Sequence, residues 1–358
     1  MGRIRAFRLD DIPDMVRLRR RIFRITERPS DDSLAAYYQR VFFENPWQDD
    51  AISSLLYENG RGRPSGFIGV VPRPMVFQGE PVRAAVGTEF MVDPEERGAA
   101  GIQLLERCLR GPQDLSIADR ANDAARALWE GLGGVTALWY SLYWSRQLRP
   151  AGYLVCRLES RVPRRVGQVL RPAAGVLDAC ATRVLAGGSS YRQAPPGFVE
   201  PLDEDTLVTE LRRVDKRRLL PSYDKASVRW LLERLEERVA CGTLERAQIR
   251  DSQEGVIGWF LYFLYPDRRA DVVQLAATAR HRGQVFDHLL HHAWQRGAVL
   301  ATGRLDAPFM GSLLERGYTF NLARPWTMMH SRRPELMALF QSGGAFLSRM
   351  EAEWWMGF

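Results

Sequence analysis

The feature that most constrains this chain is a repeat. Arg97-Gly98 is followed by Leu104-Leu105, and Arg282-Gly283 by Leu289-Leu290, at one shift of 185 positions. The same shift carries Leu115 onto Leu300, Leu128 onto Leu313 and Glu130 onto Glu315, while Gly111 and Gly297 differ by one step more. Any two amphipathic helices can share a Leu-Leu pair. One shift that persists through a strand, a helix, a strand and a helix instead implies two copies of a single α/β unit. The expected fold class is therefore α/β, in two lobes, each a mixed, mostly antiparallel sheet flanked by helices.

The length of 358 residues allows two domains, and 46% apolar residues allow each its own core. The formal charge is +7, but only Lys216 and Lys225 are lysines, so the arginine bias runs through the whole chain. Such a uniform bias makes the charge weak evidence for a nucleic-acid or membrane partner, so a nucleic-acid partner is not expected, and it is consistent with a mild pull on anionic ligands. Cys108, Cys156, Cys180 and Cys241 are scattered without C-x-x-C spacing, which fits a reducing compartment and argues against zinc or a disulfide framework. The N-terminus has no apolar signal core, and the longest apolar run, GVIGWFLYFLY, is too short to span a bilayer. A cytoplasmic protein with no membrane partner is expected.

Three segments follow along the chain. Residues 1–159 form the first lobe, with strands at IRAFRLD, AISSLLYE, SGFIGVVPRPMVF, VRAAVGTEFMV and DLSIAD, and a last group from VTALWYSLYWS through GYLVCRL. Its helices are DDIPDMVRLRRRIF, acidic at its start and basic at its end, DSLAAYYQRVF and ANDAARALWEGLG. Residues 160–196 read as a linker helix and a Gly/Ser/Pro turn, and 197–358 as the second lobe with a helical tail. Trp354 and Trp355 in that tail are expected to pack onto a domain.

The first copy places small residues, Gly98-Ala99-Ala100-Gly101, where a helix begins directly after a strand. A helix start offers unpaired N–H groups and the positive end of its dipole, and small side chains let a phosphate approach. Neither a G-x-x-x-x-G-K-[ST] loop nor a G-x-G-x-x-G turn with a following acid is present. His288 and His292 share a helix face but lack a third ligand nearby, so no metal is expected.

The order of strand, VDPEERGAAGIQLL, strand and NDAARALWEGLGG resembles the GNAT superfamily of acyl-CoA-dependent N-acyltransferases. Val92, Pro94, Arg97 and Gly98 match its V-x-P-x-x-R-G-x-G-x-G/A hallmark, with Ala100 and Ile102 at the later small positions. Asn122, Ala125, Leu128 and Gly133 match its later helix, in which Trp129 replaces the usual Tyr. The resemblance covers residues 3–157, and the whole chain resembles a tandem form, the second copy having a glycine-poor loop.

The resemblance implies acetyl-CoA or another acyl-CoA as cosubstrate, held by Met91, Val92, Arg97, Gly98, Ala99, Ala100, Gly101, Ile102 and Asn122. An amine of a small molecule or amino sugar would attack the thioester directly in a ternary complex. The Val92 N–H would polarise the acyl carbonyl, and Glu89 would take the proton. Indole is no useful acid, so Tyr140, Tyr143 or water would protonate the departing thiolate. Two rivals keep the fold: a Fem-type transferase using aminoacyl-tRNA, and a degenerate, non-catalytic acyl-CoA-binding module. The oligomeric state is not legible.

Overall fold

The computed structural model describes residues 2–23, 29–96, 98–159, 190–315, 318–322 and 325–356. The chain divides into two compact units, one of residues 1–141, 217–230 and 324–358, the other of 142–216 and 231–323.

The first unit holds an eight-stranded sheet. Its strands, numbered in chain order, are β1 (Arg3–Ala6), β2 (Leu55–Glu58), β3 (Pro64–Phe77), β4 (Glu80–Val92), β5 (Leu115–Ala121), β6 (Val135–Thr136), β9 (Leu219–Pro221) and β15 (Trp326–Ser331). They run β1-β2-β3-β4-β5-β15-β6, with β9 paired to the far end of β3. Every neighbour is antiparallel except β4 and β5. That parallel pair needs a crossover, which is α3 (Ala99–Leu109).

Helices α1 (Ile12–Ile22) and α2 (Asp31–Phe42) pack on β3, and α4 (Asp123–Gly131) packs on β15. Two glycines of β3 show how closely the layers pack. A Cβ at Gly66 would meet Leu104 of α3 at 2.8 Å, and one at Gly69 would meet Phe42 of α2 at 2.6 Å. Side chains alternate across a strand, so α3 and α2 cover opposite faces. One core joins Leu104, Leu105, Ile68, Val70 and Trp129, and another joins Leu115, Ile117, Tyr140, Leu336 and Phe340.

The second unit holds a seven-stranded sheet ordered β14-β7-β13-β12-β11-β10-β8. Its strands are β7 (Leu142–Gln147), β8 (Phe198–Pro201), β10 (Thr243–Asp251), β11 (Gly255–Leu264), β12 (Arg269–Ala277), β13 (Leu300–Arg304) and β14 (Thr319–Leu322). Again one pair, β12 with β13, is parallel, and the helix Arg282–Gln295 crosses between them. The repeat read from sequence thus corresponds to a repeated strand–helix–strand crossover. GVIGWFLYFLY is the interior strand β11, with Val256 to Phe263 all buried.

Two expectations need correction. The boundaries 1–159 and 197–358 do not enclose the sheets: β7 from the first half pairs with β13 and β14, and β15 from the second half pairs with β5 and β6. Apolar patterning identifies a strand but not its partner. Trp144 of β7 finds Phe286 and Tyr318, at ring separations of 5.2 and 5.6 Å, whereas Met328 and Met329 of β15 enter the cores of the first sheet. In addition, GYLVCRL lies in a helix, Pro150–Glu159, rather than a strand. Pro150 at the first helical position favours that outcome. Of the 160–196 linker, only 190–196 lies within the described residues. The tail contains the helix Pro334–Gln341 and a 3-10 turn, Glu353–Met356, and Trp355 is fully buried against Trp230 and Trp47.

Candidate active site

The parallel contact between β4 and β5 lasts three rungs, Ala84 to Leu115, Ala85 to Ser116 and Val86 to Ile117. Beyond them β4 runs on to Val92 and β5 to Ala121 with no pairing between the two. Continuing the register would set Thr88 opposite Asp119, so these two residues mark the apex of the split. Backbone groups on the inner edges above that apex are left without ladder partners, a place where an extended ligand can pair.

A bulge reinforces the split. Phe67 pairs with Met91 and Gly69 with Thr88, so Glu89 and Phe90 together face Ile68. Glu89 adopts φ +51°, the left-handed region, which costs a residue with a Cβ about 1–3 kcal/mol. The Asp93 N–H donates to the Ser65 carbonyl at 2.7 Å across the β3 side. By ladder alternation the N–H of Val92 then faces away from β3, into the split.

Glu89 is anchored. One carboxylate oxygen pairs with Arg19 Nη1 of α1, and the other accepts from Tyr38 Oη of α2 at 3.0 Å. The two charged side chains are only 8% and 9% exposed. Burial alone would lower the Arg19 guanidinium, but the Glu89 charge and hydrogen bond outweigh it and hold it above its ordinary value. Burial, then the Glu89 charge, pushes the Tyr38 hydroxyl up, so this phenol stays a donor.

At the open end of the split, α3 begins. Gly98 is its N-cap, with φ +103° and ψ −95°, a conformation that residues with a Cβ avoid. Among the described residues no side chain caps the helix, and its first turn holds no acid. The Ile102 N–H bonds the Gly98 carbonyl at 3.0 Å, so the N–H groups of Gly98, Ala99, Ala100 and Gly101 are the four without intrahelical partners. Among the described residues, a Cβ at Gly98 would meet nothing within 4 Å. These features fit a diphosphate.

The remaining candidates divide. Arg97 lies outside the described residues. Ala99 is exposed, while Met91, Ala100 and Gly101 are buried, so their side chains or Cα face the core. Ile102 departs from expectation: its N–H is engaged by Gly98, and its side chain is 42% exposed beside the corner. Asn122 caps α4, its Oδ1 accepting from the Ala125 N–H at 2.8 Å. Trp129 is a core residue.

Tyr140 is not a proton donor at this edge. Its hydroxyl is buried, donates to the Ala345 carbonyl at 2.7 Å and accepts from the Ala345 N–H at 3.1 Å. Tyr140→Phe is expected to lower stability by about 1–3 kcal/mol, measured by denaturant unfolding, because both backbone groups lose a buried partner. Turnover per folded molecule is expected to stay unchanged. Tyr143 lies on β7 of the second unit, opposite Arg304 and Asn321.

Three residues that were not anticipated meet at the apex. The Glu353 N–H donates to Asp119 Oδ1 at 2.9 Å, and the Glu353 carboxyl is hydrogen-bonded by Thr88. The 3-10 turn thus joins both diverging strands just where they part. Asp119 shares its face with Leu115 and Ile117. A carboxylate on the apolar face of a strand was the available signal, together with an acid inside the apolar tail.

The histidines have structural partners. His288 Nε2 lies 2.8 Å from the Pro196 carbonyl, His291 Nδ1 2.9 Å from the Tyr191 carbonyl and His292 Nδ1 2.8 Å from Tyr262 Oη. Burial, then the Arg296 charge, pushes the His292 imidazole down to about 4. Among the described residues, no group of three or more His, Cys, Asp or Glu side chains is placed to hold a metal ion. Nor is any helix among them long and apolar enough to cross a membrane.

No protein-family model matches the chain, and no curated protein matches it. Solved structures do. A conserved protein of unknown function from Enterococcus faecalis V583, described as a probable N-acyltransferase, aligns over 92% of this chain and 73% of its own, with 10% identity and a TM-score of 0.60. A GCN5-related N-acetyltransferase from Anabaena variabilis aligns over 93% and 74%, with 13% identity and a TM-score of 0.58. One from Kribbella flavida aligns over 92% and 71%, with 14% identity and a TM-score of 0.55. The fold is that of the GCN5-related N-acetyltransferases.

Proposed function

We propose that this chain is an acyl-CoA-dependent N-acyltransferase whose first unit binds the cosubstrate. The carrying observation is the split between β4 and β5 that ends in an uncapped, acid-free helix start at Gly98. The similar solved structures described as N-acetyltransferases support the reading.

In this reading the N–H groups of residues 98–101 hold the diphosphate, and the split takes the pantetheine arm as an added strand. Acyl-CoA supplies an activated acyl group as its thioester; acetyl is the simplest donor. The inward N–H of Val92 polarises the acyl carbonyl, the one-donor form of an oxyanion hole. The acceptor is an amine of a small molecule or an amino sugar. It approaches from the face of α1 and α2, where the Asp119 carboxylate favours a cation. Glu89 takes the amine proton, with Arg19 and Tyr38 fixing its carboxylate. The start of Arg282–Gln295 is glycine-poor and its N-cap is His281 rather than a glycine at positive φ, so this reading gives the second unit a supporting role.

Calorimetric titration with coenzyme A, followed by thiol release across a panel of amines, tests the proposal. Micromolar binding and amine-dependent thiol release are expected. Absence of binding at millimolar ligand, with retention on tRNA, would replace it with aminoacyl transfer. Binding without thiol release would reduce it to a non-catalytic module.

A further inference from the structure

We infer that Glu353 is the general acid that protonates the departing thiolate, standing where the usual tyrosine of the α4 helix is missing. The inference rests on the proposed acyl transfer and adds a residue to it. Its ground is positional. Trp129 fills the tyrosine position and is core, and the Tyr140 hydroxyl is held by Ala345. Glu353 instead sits at the apex of the split, tied to β5 through Asp119 and to β4 through Thr88. The turn that carries it packs against both strands. A thioester drawn into the split from the corner at Gly98 ends its travel toward that apex.

The environment keeps a proton on this carboxyl. Burial, then the Asp119 charge, pushes it well above its ordinary value, outweighing the Arg120 charge and the Thr88 hydrogen bond. Glu89 of β4 adds to the same effect, and Tyr37 of α2 faces Glu353 as well. A neutral amine adds its nitrogen to the thioester carbon, and the carbon–sulfur bond breaks with its electron pair leaving on sulfur. Glu353 passes its proton to that sulfur. The excess proton on nitrogen leaves through Glu89 to solvent, and Glu353 is recharged from water. The sum is amine plus thioester giving amide plus thiol.

Glu353→Gln tests this, since the backbone N–H to Asp119 is kept and the amide stays neutral. The carbonyl band of a neutral carboxylic acid is expected in the infrared spectrum of the unliganded wild-type protein at pH 7 and is expected to vanish in the variant. Wild-type stability is expected to decline as pH rises above about 4.5, because the folded chain then holds a proton the unfolded chain has released, and the variant is expected to lose that contribution. Coenzyme A affinity is expected to stay within twofold, while kcat falls about 100-fold and its alkaline limb disappears. Thr88→Val, which leaves the carboxyl in place, is expected to keep the infrared band and lower kcat less. Wild-type-like kcat and pH profile in Glu353→Gln, with coenzyme A still bound, would overturn the assignment alone. Absence of coenzyme A binding by the wild-type protein would overturn it together with the proposed function.

Discussion

Gly98→Glu is expected to weaken coenzyme A binding about a thousandfold in calorimetric titration, with the circular dichroism of the folded protein retained. Two effects combine. A residue with a Cβ cannot hold φ +103° and ψ −95° without strain of about 1–3 kcal/mol, so the corner must change shape. The new carboxylate then competes with the ligand for the orphan N–H groups, and each charge-assisted hydrogen bond lost is worth about 1.5–3 kcal/mol. At about 1.4 kcal/mol per tenfold, the sum reaches roughly three factors of ten. Gly98→Ala keeps the strain and omits the charge, so a loss nearer tenfold is expected. Equal binding by wild type and Gly98→Glu would remove residues 98–101 from the site.

Arg19→Met is expected to cost about 3–5 kcal/mol of stability in denaturant unfolding, because it leaves the Glu89 carboxylate buried with, among the described residues, the Tyr38 hydroxyl as its remaining hydrogen-bond partner. Adding Glu89→Gln removes the stranded charge and should restore most of the loss, a coupling read directly from the double-mutant cycle. Additive losses in the two single variants would mean the pair is not coupled. Activity should fall in both, since the left-handed Glu89 stands at the bulge that turns β4 away from β5.

The sequence made the crossover legible because its signals are local. Strand alternation up to Val92, small residues from Gly98 to Gly101 and the Leu104-Leu105 stripe all lie within one short stretch, and the second copy confirmed the plan by repetition. Glu89 and Gly98, on which the proposed site rests, lie at the bulge and the helix start of that same stretch. Partnerships across distant segments were not. Nothing local tells β7 to leave the first sheet for β13 and β14, or β15 to join β5. Tyr140 looked like a donor because a tyrosine's hydroxyl is polar, but its fate depends on Ala345, about two hundred positions away. Arg19 and Tyr38 sit on amphipathic helices whose arginine and tyrosine read as ordinary surface and core. Glu353 was hidden in a tail whose two tryptophans drew attention to packing. An acid amid apolar residues there was a usable sign, as was Asp119 on the Leu115–Ile117 face.

The central claim is that the split between β4 and β5, with the open amide corner at its end, is where acyl-CoA binds. A crystal structure grown with a non-hydrolysable acyl-CoA analogue tests it most directly. Density for the diphosphate on the N–H groups of residues 98–101, with the arm between β4 and β5 and the acyl end toward Thr88, Asp119 and Glu353, is the predicted result. Density against another part of the chain, or a split closed by β4–β5 pairing beyond Val86 in a crystal that contains the ligand elsewhere, would contradict it.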